Sequence, residues 1–131
     1  MSGKLYNILL VDDDASVRSF TRLVLERSGY QILDACDAKE ALRIWKTIGQ
    51  EIDLLLTDIT LEDGQDGRAL ARQLKSERPS LRVILFSGYS SEIEDETEKL
   101  GIFLQKPFSL DKLVATVRSS LSDLSEEPAI S

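Results

Sequence analysis

The stretch ILLVDDD at residues 8–14 joins four consecutive apolar residues directly to three carboxylates. Side chains of a strand point alternately to its two faces, so apolar residues at successive positions are typical of a sheet that is covered on both faces. Acidic side chains that converge on one crevice repel one another and stay ionised together only if a cation neutralises them. The stretch therefore predicts a buried strand with an acidic pocket at its carboxyl end.

Outward from this stretch, apolar runs alternate with amphipathic segments of helical spacing. Further apolar runs lie at residues 31–36, 54–56, 83–86 and 102–104, and helices are expected at about 15–28, 38–48, 66–77, 90–100 and 109–122. This alternation predicts five βα units in an α/β fold, with a doubly wound parallel sheet, right-handed crossovers and helices on both faces. We expect the flavodoxin-like version of this fold, (βα)5, with the strand order 2-1-3-4-5.

Two of the expected helices carry signals for their ends and their buried faces. Gly29 is a residue at which the first helix can stop, and Ser109 is a suitable N-cap for the last one. Asp14 can act as the N-cap of the first helix. The apolar stripe expected on the first helix consists of Val17, Phe20, Val24 and Leu25.

Length and charge restrict the class of protein. A chain of 131 residues suits one domain, and we expect a folded domain over residues 1–122 with a flexible C-terminal tail at 123–131. The net charge of −7 disfavours nucleic acid and anionic membranes as direct partners. No segment approaches the roughly 18 continuous apolar residues of a membrane span, so we expect a cytoplasmic protein.

Two residue types are scarce or missing. The chain has no histidine, so it lacks the usual general base, and any phosphoryl group that it carries must sit on another side chain. Cys36 is the only cysteine, which leaves no disulfide framework and no thiolate metal cluster. We expect its side chain to be buried as a small apolar residue.

Polar residues also follow the other strands, at the edge of the sheet where ligands of α/β proteins bind. Asp58 follows the third apolar run, Ser87 the fourth and Lys106 the fifth. A hard ion such as Mg²⁺ suits the carboxylates, while Lys106 and the Ser87 hydroxyl offer a charge and a hydrogen bond to phosphoryl oxygens. Each feature alone is common in turns and helix caps, but their coincidence at four strand ends predicts that Asp58 is a nucleophile for phosphoryl transfer.

At this point the sequence resembles the receiver domain of two-component response regulators, over about residues 5–122. The matching motifs are ILLVDDD at 8–14, DLLLTD at 53–58, ILFSG at 84–88 and FLQKPF at 103–108. Their style is similar to receivers of hybrid sensor histidine kinases. The resemblance implies a phosphoacceptor in signalling, which assists its own phosphorylation and dephosphorylation and is not an enzyme.

The resemblance also implies a role for each matched residue. Asp58 corresponds to the acceptor of a phosphoryl group from a sensor histidine kinase or a histidine phosphotransfer protein. Lys106 corresponds to the lysine that contacts the phosphoryl group. The implied ligands of Mg²⁺ (or Mn²⁺) are Asp12 through water, Asp13, Asp58 and the backbone carbonyl of Thr60. Ser87 and Phe103 correspond to switch residues that change the surface offered to a downstream protein target.

The sequence departs from the family pattern after the acceptor. The glycine of this loop, Gly67, comes nine residues after Asp58 (67 minus 58), one residue later than in many receivers. Glu62 and Asp63 add negative charge near the expected metal site. We therefore expect the affinity for the metal, or the lifetime of the phosphoryl group, to differ from that of receivers with the usual loop.

A second departure lies between Ser87 and Lys106, which are 19 residues apart (106 minus 87), fewer than in chemotaxis-type receivers. The helix expected at 90–100 should be short or displaced, and its acidic residues are interpreted as a solvated face. Tyr89 is bulky enough to shield the phosphoryl group from water, so we predict a lifetime longer than seconds.

Two alternative functions remain to be tested. Residues 11–16, VDDDAS, can be interpreted as the Asp-x-Asp-x-Ser motif of a haloacid-dehalogenase-like phosphatase. Motif order disfavours this, because the aspartates after Lys106, which are Asp111 and Asp123, both lie in the last helix pattern. A pseudo-receiver that works without phosphorylation usually lacks an acid or the lysine, and this chain lacks neither. Dinucleotide and P-loop binding fit poorly, because no glycine-rich phosphate motif follows the first strand.

Overall fold

A computed structural model of the protein describes residues 5–88 and 100–125. The strands are β1 (Asn7–Val11), β2 (Gln31–Ala35), β3 (Leu54–Asp58), β4 (Arg82–Ser87) and β5 (Ile102–Gln105). All neighbouring strands pair in parallel, and the order across the sheet is β2-β1-β3-β4-β5. The predicted α/β class, flavodoxin-like topology and strand order are therefore confirmed.

Four α-helices lie within the described part of the chain: α1 (Ala15–Arg27), α2 (Ala38–Ile48), α3 (Gly67–Glu77) and α4 (Leu110–Ser125). The hydroxyl of Ser109 accepts a hydrogen bond from the N–H of Lys112 at 3.0 Å, which confirms the predicted cap of α4. This helix continues three residues beyond its predicted end (125 minus 122). Residues 89–99, with Tyr89 and most of the helix expected at 90–100, lie outside the described residues, as do residues 126–131 of the expected tail.

The sheet is buried on both faces, as the consecutive apolar residues of its strands require. Alternate residues of one strand enter two different clusters: Leu9 and Val11 face α2 and α3, whereas Ile8 and Leu10 face α1 and α4. The first cluster also contains Leu55, Leu85, Trp45, Leu70 and Leu74, and the second contains Leu54, Leu56, Ile84, Phe86, Leu25, Leu113 and Val117. The two clusters, one on each face of the sheet, thus hold the strand ends in a fixed arrangement.

The apolar stripe predicted for α1 is wrong at one position. Leu25 is fully buried and Val24 packs partly against the core, but Phe20 is 53% exposed. Thr21, one turn before Leu25, lies on the buried face instead. Successive residues of a helix are about 100° apart around its axis, so Phe20 lies beside the buried face and not on it. Gly29, at φ +101°, confirms the predicted end of the helix.

The prediction that Cys36 is buried is also wrong, because its side chain is exposed. The edge strand β2 ends at Ala35, one residue before the cysteine. The N–H of Cys36 donates to a carboxylate oxygen of Glu40 at 2.8 Å, in the loop that leads into α2. The residue therefore belongs to the turn and not to the covered part of the sheet.

Among the described residues, no helix combines the length and the apolar composition that crossing a membrane would require.

Candidate functional site

The carboxyl ends of four strands meet at one edge of the sheet. In β1 and β3, Val11 is in register with Thr57, and in β3 and β4, Asp58 is in register with Phe86. Ser87, the last residue of β4, is in register with Gln105, the last residue of β5. Because the strands are parallel, Asp12, Asp58, Ser87 and Lys106 all lie at the same edge, as the sequence predicts.

Three carboxylates converge at this edge. Ligand oxygens of Asp12, Asp13 and Asp58 all lie within 4.8 Å of one another. Asp12 is 1% exposed and Asp58 is 9% exposed, whereas Asp13 is partly exposed. Burial is the main cause that raises the pKa of both Asp12 and Asp58 above the ordinary value, because the charged form loses hydration. The predicted acidic pocket is thus present.

Lys106, the residue that follows β5, faces the carboxylates. Its ammonium nitrogen lies 2.8 Å from Oδ2 of Asp58 and 3.5 Å from Oδ2 of Asp12. The same nitrogen is 4.7 Å from the centre of the Phe86 ring, a cation–π contact. Burial lowers the pKa of Lys106, but the hydrogen bond to Asp58 and the charges of both carboxylates outweigh it, so the net pKa is raised. The lysine is therefore held as a cation between two acids.

The backbone around Lys106 ties β5 to β4. The N–H of Lys106 donates to the carbonyl oxygen of Ser87 at 2.7 Å, and the Lys106–Pro107 peptide bond is cis. Ser87 itself is 1% exposed at the end of β4. The residue predicted to contact phosphoryl oxygens and the residue predicted as a switch are thus directly linked.

The acidic triplet after β1 divides into two parts with different roles. Oδ1 of Asp12 accepts the N–H of Asp14 at 2.9 Å, which turns the chain at the edge of the pocket. Asp14 is exposed, and its Oδ1 accepts the N–H groups of Ser16 at 2.9 Å and Val17 at 3.1 Å. Asp14 therefore caps α1, which confirms the N-cap predicted for this helix.

The loop that follows Asp58 contains a short 3-10 turn, Glu62–Gly64. Gly64 adopts a positive φ of +74° there, and the loop is closed by a hydrogen bond from the N–H of Leu61 to the carbonyl oxygen of Gln65. At the start of the loop, the N–H of Thr60 donates to Oδ1 of Asp58 at 3.3 Å. The carboxylate of Asp58 is thus hydrogen-bonded on one oxygen by the N–H of Thr60 and on the other by Lys106.

Gly67 closes the loop against the end of β3. Its N–H donates to the carbonyl oxygen of Ile59 at 2.7 Å. A Cβ at this position would overlap the carbonyl oxygen of Asp58, so only glycine fits without moving the end of β3. The sequence shows only the spacing of this glycine from Asp58, and the physical reason for a glycine here is the close approach of α3 to the end of β3.

Phe103 lies on β5 and is partly buried against the cluster that faces α2 and α3. Its role as a switch stays a prediction, as do the roles of the Thr60 carbonyl and of Ser87. Glu62 is exposed at the loop surface, and the Asp63 side chain lies outside the described atoms.

Among the described residues, Arg18 lies next to the pocket and was missed by sequence reasoning. Arg18 of α1 donates through Nη1 to the carbonyl oxygen of Asp12 at 2.7 Å. In the sequence, Arg18 looks like one more charged residue on an amphipathic helix, and no motif in the chain marks it.

The donor set fits a hard divalent cation. Carboxylate oxygens are the preferred ligands of Mg²⁺, which usually binds through one or two carboxylates together with water and phosphate oxygens. Asp12, Asp13 and Asp58 could hold such an ion, and its charge would offset their mutual repulsion.

Comparison with known proteins agrees with the resemblance that the sequence motifs indicate. A family model for the response regulator receiver domain matches residues 8–118. The sensor kinase CckA of Brucella abortus is 35% identical over 118 residues, which cover 87% of this chain and 12% of that protein. The transcriptional regulatory protein ZraR of Klebsiella oxytoca is 35% identical over an alignment of 133 positions, which covers 98% of this chain and 29% of that protein. The chain thus spans less than a third of either relative.

Two solved structures are also similar. A CheY-like response regulator receiver domain protein from Methanospirillum hungatei has a TM-score of 0.83 at 29% identity, with 94% of this chain and 98% of that chain covered. The receiver domain of the hybrid histidine kinase CckA has a TM-score of 0.75 at 32% identity, with 88% of this chain and 98% of that chain covered.

Proposed function

The chain belongs to the response regulator receiver family, and from this membership we propose that Asp58 accepts a phosphoryl group from a sensor histidine kinase or a histidine phosphotransfer protein. The observation that carries the proposal is the pairing of Asp58 with Lys106 at 2.8 Å inside a group of three carboxylates. This arrangement supplies a nucleophile, a fixed positive charge and oxygen ligands for a cation at one point.

In the proposed reaction, a carboxylate oxygen of Asp58 forms a bond to phosphorus while the bond from phosphorus to the donor nitrogen breaks. The electron pair of that bond leaves with the donor imidazole. Mg²⁺ or Mn²⁺, when bound, would neutralise charge on the phosphoryl oxygens. Asp12, Asp13 and Asp58, with the Thr60 carbonyl, would hold the ion.

Lys106 would then exchange its contact with Asp58 for a contact with a phosphoryl oxygen. The raised pKa keeps the side chain positively charged at neutral pH, and the Phe86 ring and the carboxylates limit where the ammonium group can lie. A positive charge placed before the reaction stabilises the developing negative charge without reorganisation.

We also propose that Ser87 and Phe103 pass the change on to a downstream protein target. Ser87 ends the strand next to Asp58 and is linked through its carbonyl oxygen to Lys106. A phosphoryl group on Asp58 would draw the Ser87 hydroxyl and change the packing of β5, which bears Phe103. In physical terms, the new charge shifts the population between two packings of the same chain.

The proposed location is the cytoplasm, and neither nucleic acid nor a membrane is proposed as a direct partner.

The positions of the three aspartates at 12–14 disfavour the competing phosphatase hypothesis. It requires Asp12 and Asp14 to act together, but Asp14 caps α1 whereas Asp13 shares the pocket with Asp12. An assay for turnover of a generic phosphate ester with Mg²⁺ separates the two functions, because a phosphoacceptor should show essentially no turnover.

The proposal is tested with acetyl phosphate and Mg²⁺, followed by intact mass spectrometry. The wild type should gain the mass of one phosphoryl group, and Asp58→Asn should not. Omission of Mg²⁺ should prevent the gain. A wild type without the adduct, or an undiminished adduct on the variant, would contradict the proposal.

A further inference from the structure

Arg18 is the residue next to the acidic pocket for which neither the sequence motifs nor the proposed reaction provide a role. We propose that Arg18 is a positioning residue for the metal site: it fixes the peptide group that joins Asp12 to Asp13, and with it the spacing of the two carboxylates. This inference rests on the proposed function, because it concerns the same magnesium site.

The backbone of Asp12 is held on both sides. Its N–H donates to the carbonyl oxygen of Ala35 on β2 at 3.2 Å, and its own carbonyl oxygen accepts Nη1 of Arg18 at 2.7 Å. A peptide group is planar, so a fixed carbonyl oxygen also fixes the nitrogen and the Cα direction of the following residue. The position of Asp13 therefore depends on the contact that Arg18 makes with Asp12.

Arg18 is itself anchored by Asp34 of β2. Its Nε lies 3.2 Å from Oδ2 of Asp34, while Oδ1 of the same carboxylate lies 2.6 Å from Nη1 of Arg22. The Arg18 side chain is 19% exposed and that of Asp34 is 26% exposed, so both are largely shielded from water. A guanidinium group is planar, so a contact at Nε sets the direction of Nη1 toward Asp12. Arg18 thus links β2 to the end of β1.

The contact of Arg18 is with a backbone carbonyl and not with a carboxylate of the pocket. The guanidinium group therefore steadies the site without occupying an oxygen of Asp12 or Asp13 that a cation would need. Groups that orient metal ligands in this way typically contribute a factor of about 10–100 to metal affinity.

The helix offers a matched control in Arg22. Both arginines lie on α1 and bind Asp34, but the other contact of Arg22 is with Glu26, at 2.9 Å, and not with Asp12. Arg18→Gln should weaken Mg²⁺ binding by about tenfold, and Arg22→Gln should change it by less than about twofold. Arg18→Lys should recover part of the loss, because an ammonium group keeps a donor near the Asp12 carbonyl but lacks the fork that reaches Asp34.

Mg²⁺ dissociation constants are measured by calorimetry on the full chain, and thermal unfolding in EDTA compares the stability of the variants. With acetyl phosphate, Arg18→Gln should need more Mg²⁺ for half-maximal phosphorylation while the rate at saturating Mg²⁺ stays near that of the wild type. Loss of the saturated rate without loss of affinity would overturn the inference. If Arg18→Gln does not fold, Arg18→Lys carries the same comparison.

The two proposals fail in different ways. An Arg18→Gln variant that binds Mg²⁺ as tightly as the wild type overturns only the inference about Arg18. An Arg22→Gln variant that loses as much Mg²⁺ affinity as Arg18→Gln also overturns it, because the loss would then be a general effect of changes in α1. A wild type that binds no Mg²⁺ and takes no phosphoryl group overturns the proposed function, and the inference falls with it.

Discussion

Replacement of Asp12 by asparagine should stabilise the metal-free protein. The carboxylate of Asp12 is 1% exposed and lies within 4.8 Å of two other carboxylates, whose repulsion Lys106 offsets only in part. Asparagine has nearly the same shape, and its side-chain oxygen can still accept the N–H of Asp14. The substitution therefore removes a buried charge and keeps the local backbone.

The magnitude follows from the distance. Asp13 and Asp58, at up to 4.8 Å, each repel Asp12 by about 3.5 kcal/mol at an effective dielectric constant of about 20, or by about 7 kcal/mol together. Lys106 attracts Asp12 across 3.5 Å by about 4.7 kcal/mol at the same dielectric constant, and that attraction is lost with the charge. We therefore expect a net gain of about 1–2 kcal/mol in the free energy of unfolding, or about 3–8 °C in Tm.

Differential scanning calorimetry in EDTA and in Mg²⁺ measures this effect. At ten times its dissociation constant, Mg²⁺ should stabilise the wild type by about 1.4 kcal/mol and should stabilise Asp12→Asn much less. Asp14→Asn is the matched control, because it removes a neighbouring carboxylate that is exposed and because asparagine is an equally good N-cap. This control should leave both the Tm and its response to Mg²⁺ nearly unchanged.

The gain should also depend on pH. Burial raises the pKa of Asp12 above 3.8, so the protonated carboxyl stabilises the folded state at low pH, and that stability is lost as the pH rises through the folded-state pKa. Asparagine does not ionise, so its advantage over the wild type should be largest at neutral pH and should shrink as the pH falls toward 3.8. An Asp12→Asn variant that is less stable than the wild type in EDTA at pH 7 would refute the reasoning.

Three further predictions concern the same edge of the sheet. Gly67→Ala should lower both the stability and the extent of phosphorylation, because the added Cβ would overlap the carbonyl oxygen of Asp58. Gly101→Ala is the control, because its Cβ would overlap the carbonyl oxygen of Val83 instead. This control should lower the Tm but leave phosphorylation of the folded protein intact. Lys106→Met should destabilise the protein in EDTA and slow phosphorylation by acetyl phosphate by about a hundredfold, and equal rates for variant and wild type would speak against the lysine's role. Purified phosphoprotein should keep its label for longer than seconds, as measured by mass spectrometry over time, and rapid loss would contradict the shielding predicted from the sequence.

The architecture was predictable because its signals are local. Consecutive apolar residues such as Leu9 and Leu10 indicate a strand that is covered on both faces, and the two residues do enter opposite clusters. Parallel strands place their carboxyl ends at one edge, so Asp12, Asp58 and Lys106 could be brought together from their positions after apolar runs. The local signals were weaker at Cys36 and Phe20, which are both exposed. Cys36 lies one residue beyond the end of β2, and Phe20 lies one position before Thr21, which is on the buried face of α1.

Contacts between elements were not predictable in the same way. The sequence by itself determined the alternation of strands and helices along the chain, the burial of the strands and the set of residues at their ends, because periodicity records which side chains leave water. Only the tertiary structure decided that Gly67 must lack a Cβ and that Arg18 holds the backbone between the two acids. Each of these depends on how closely and at what rotation one element approaches another, and the spacing of residues along the chain does not contain that information.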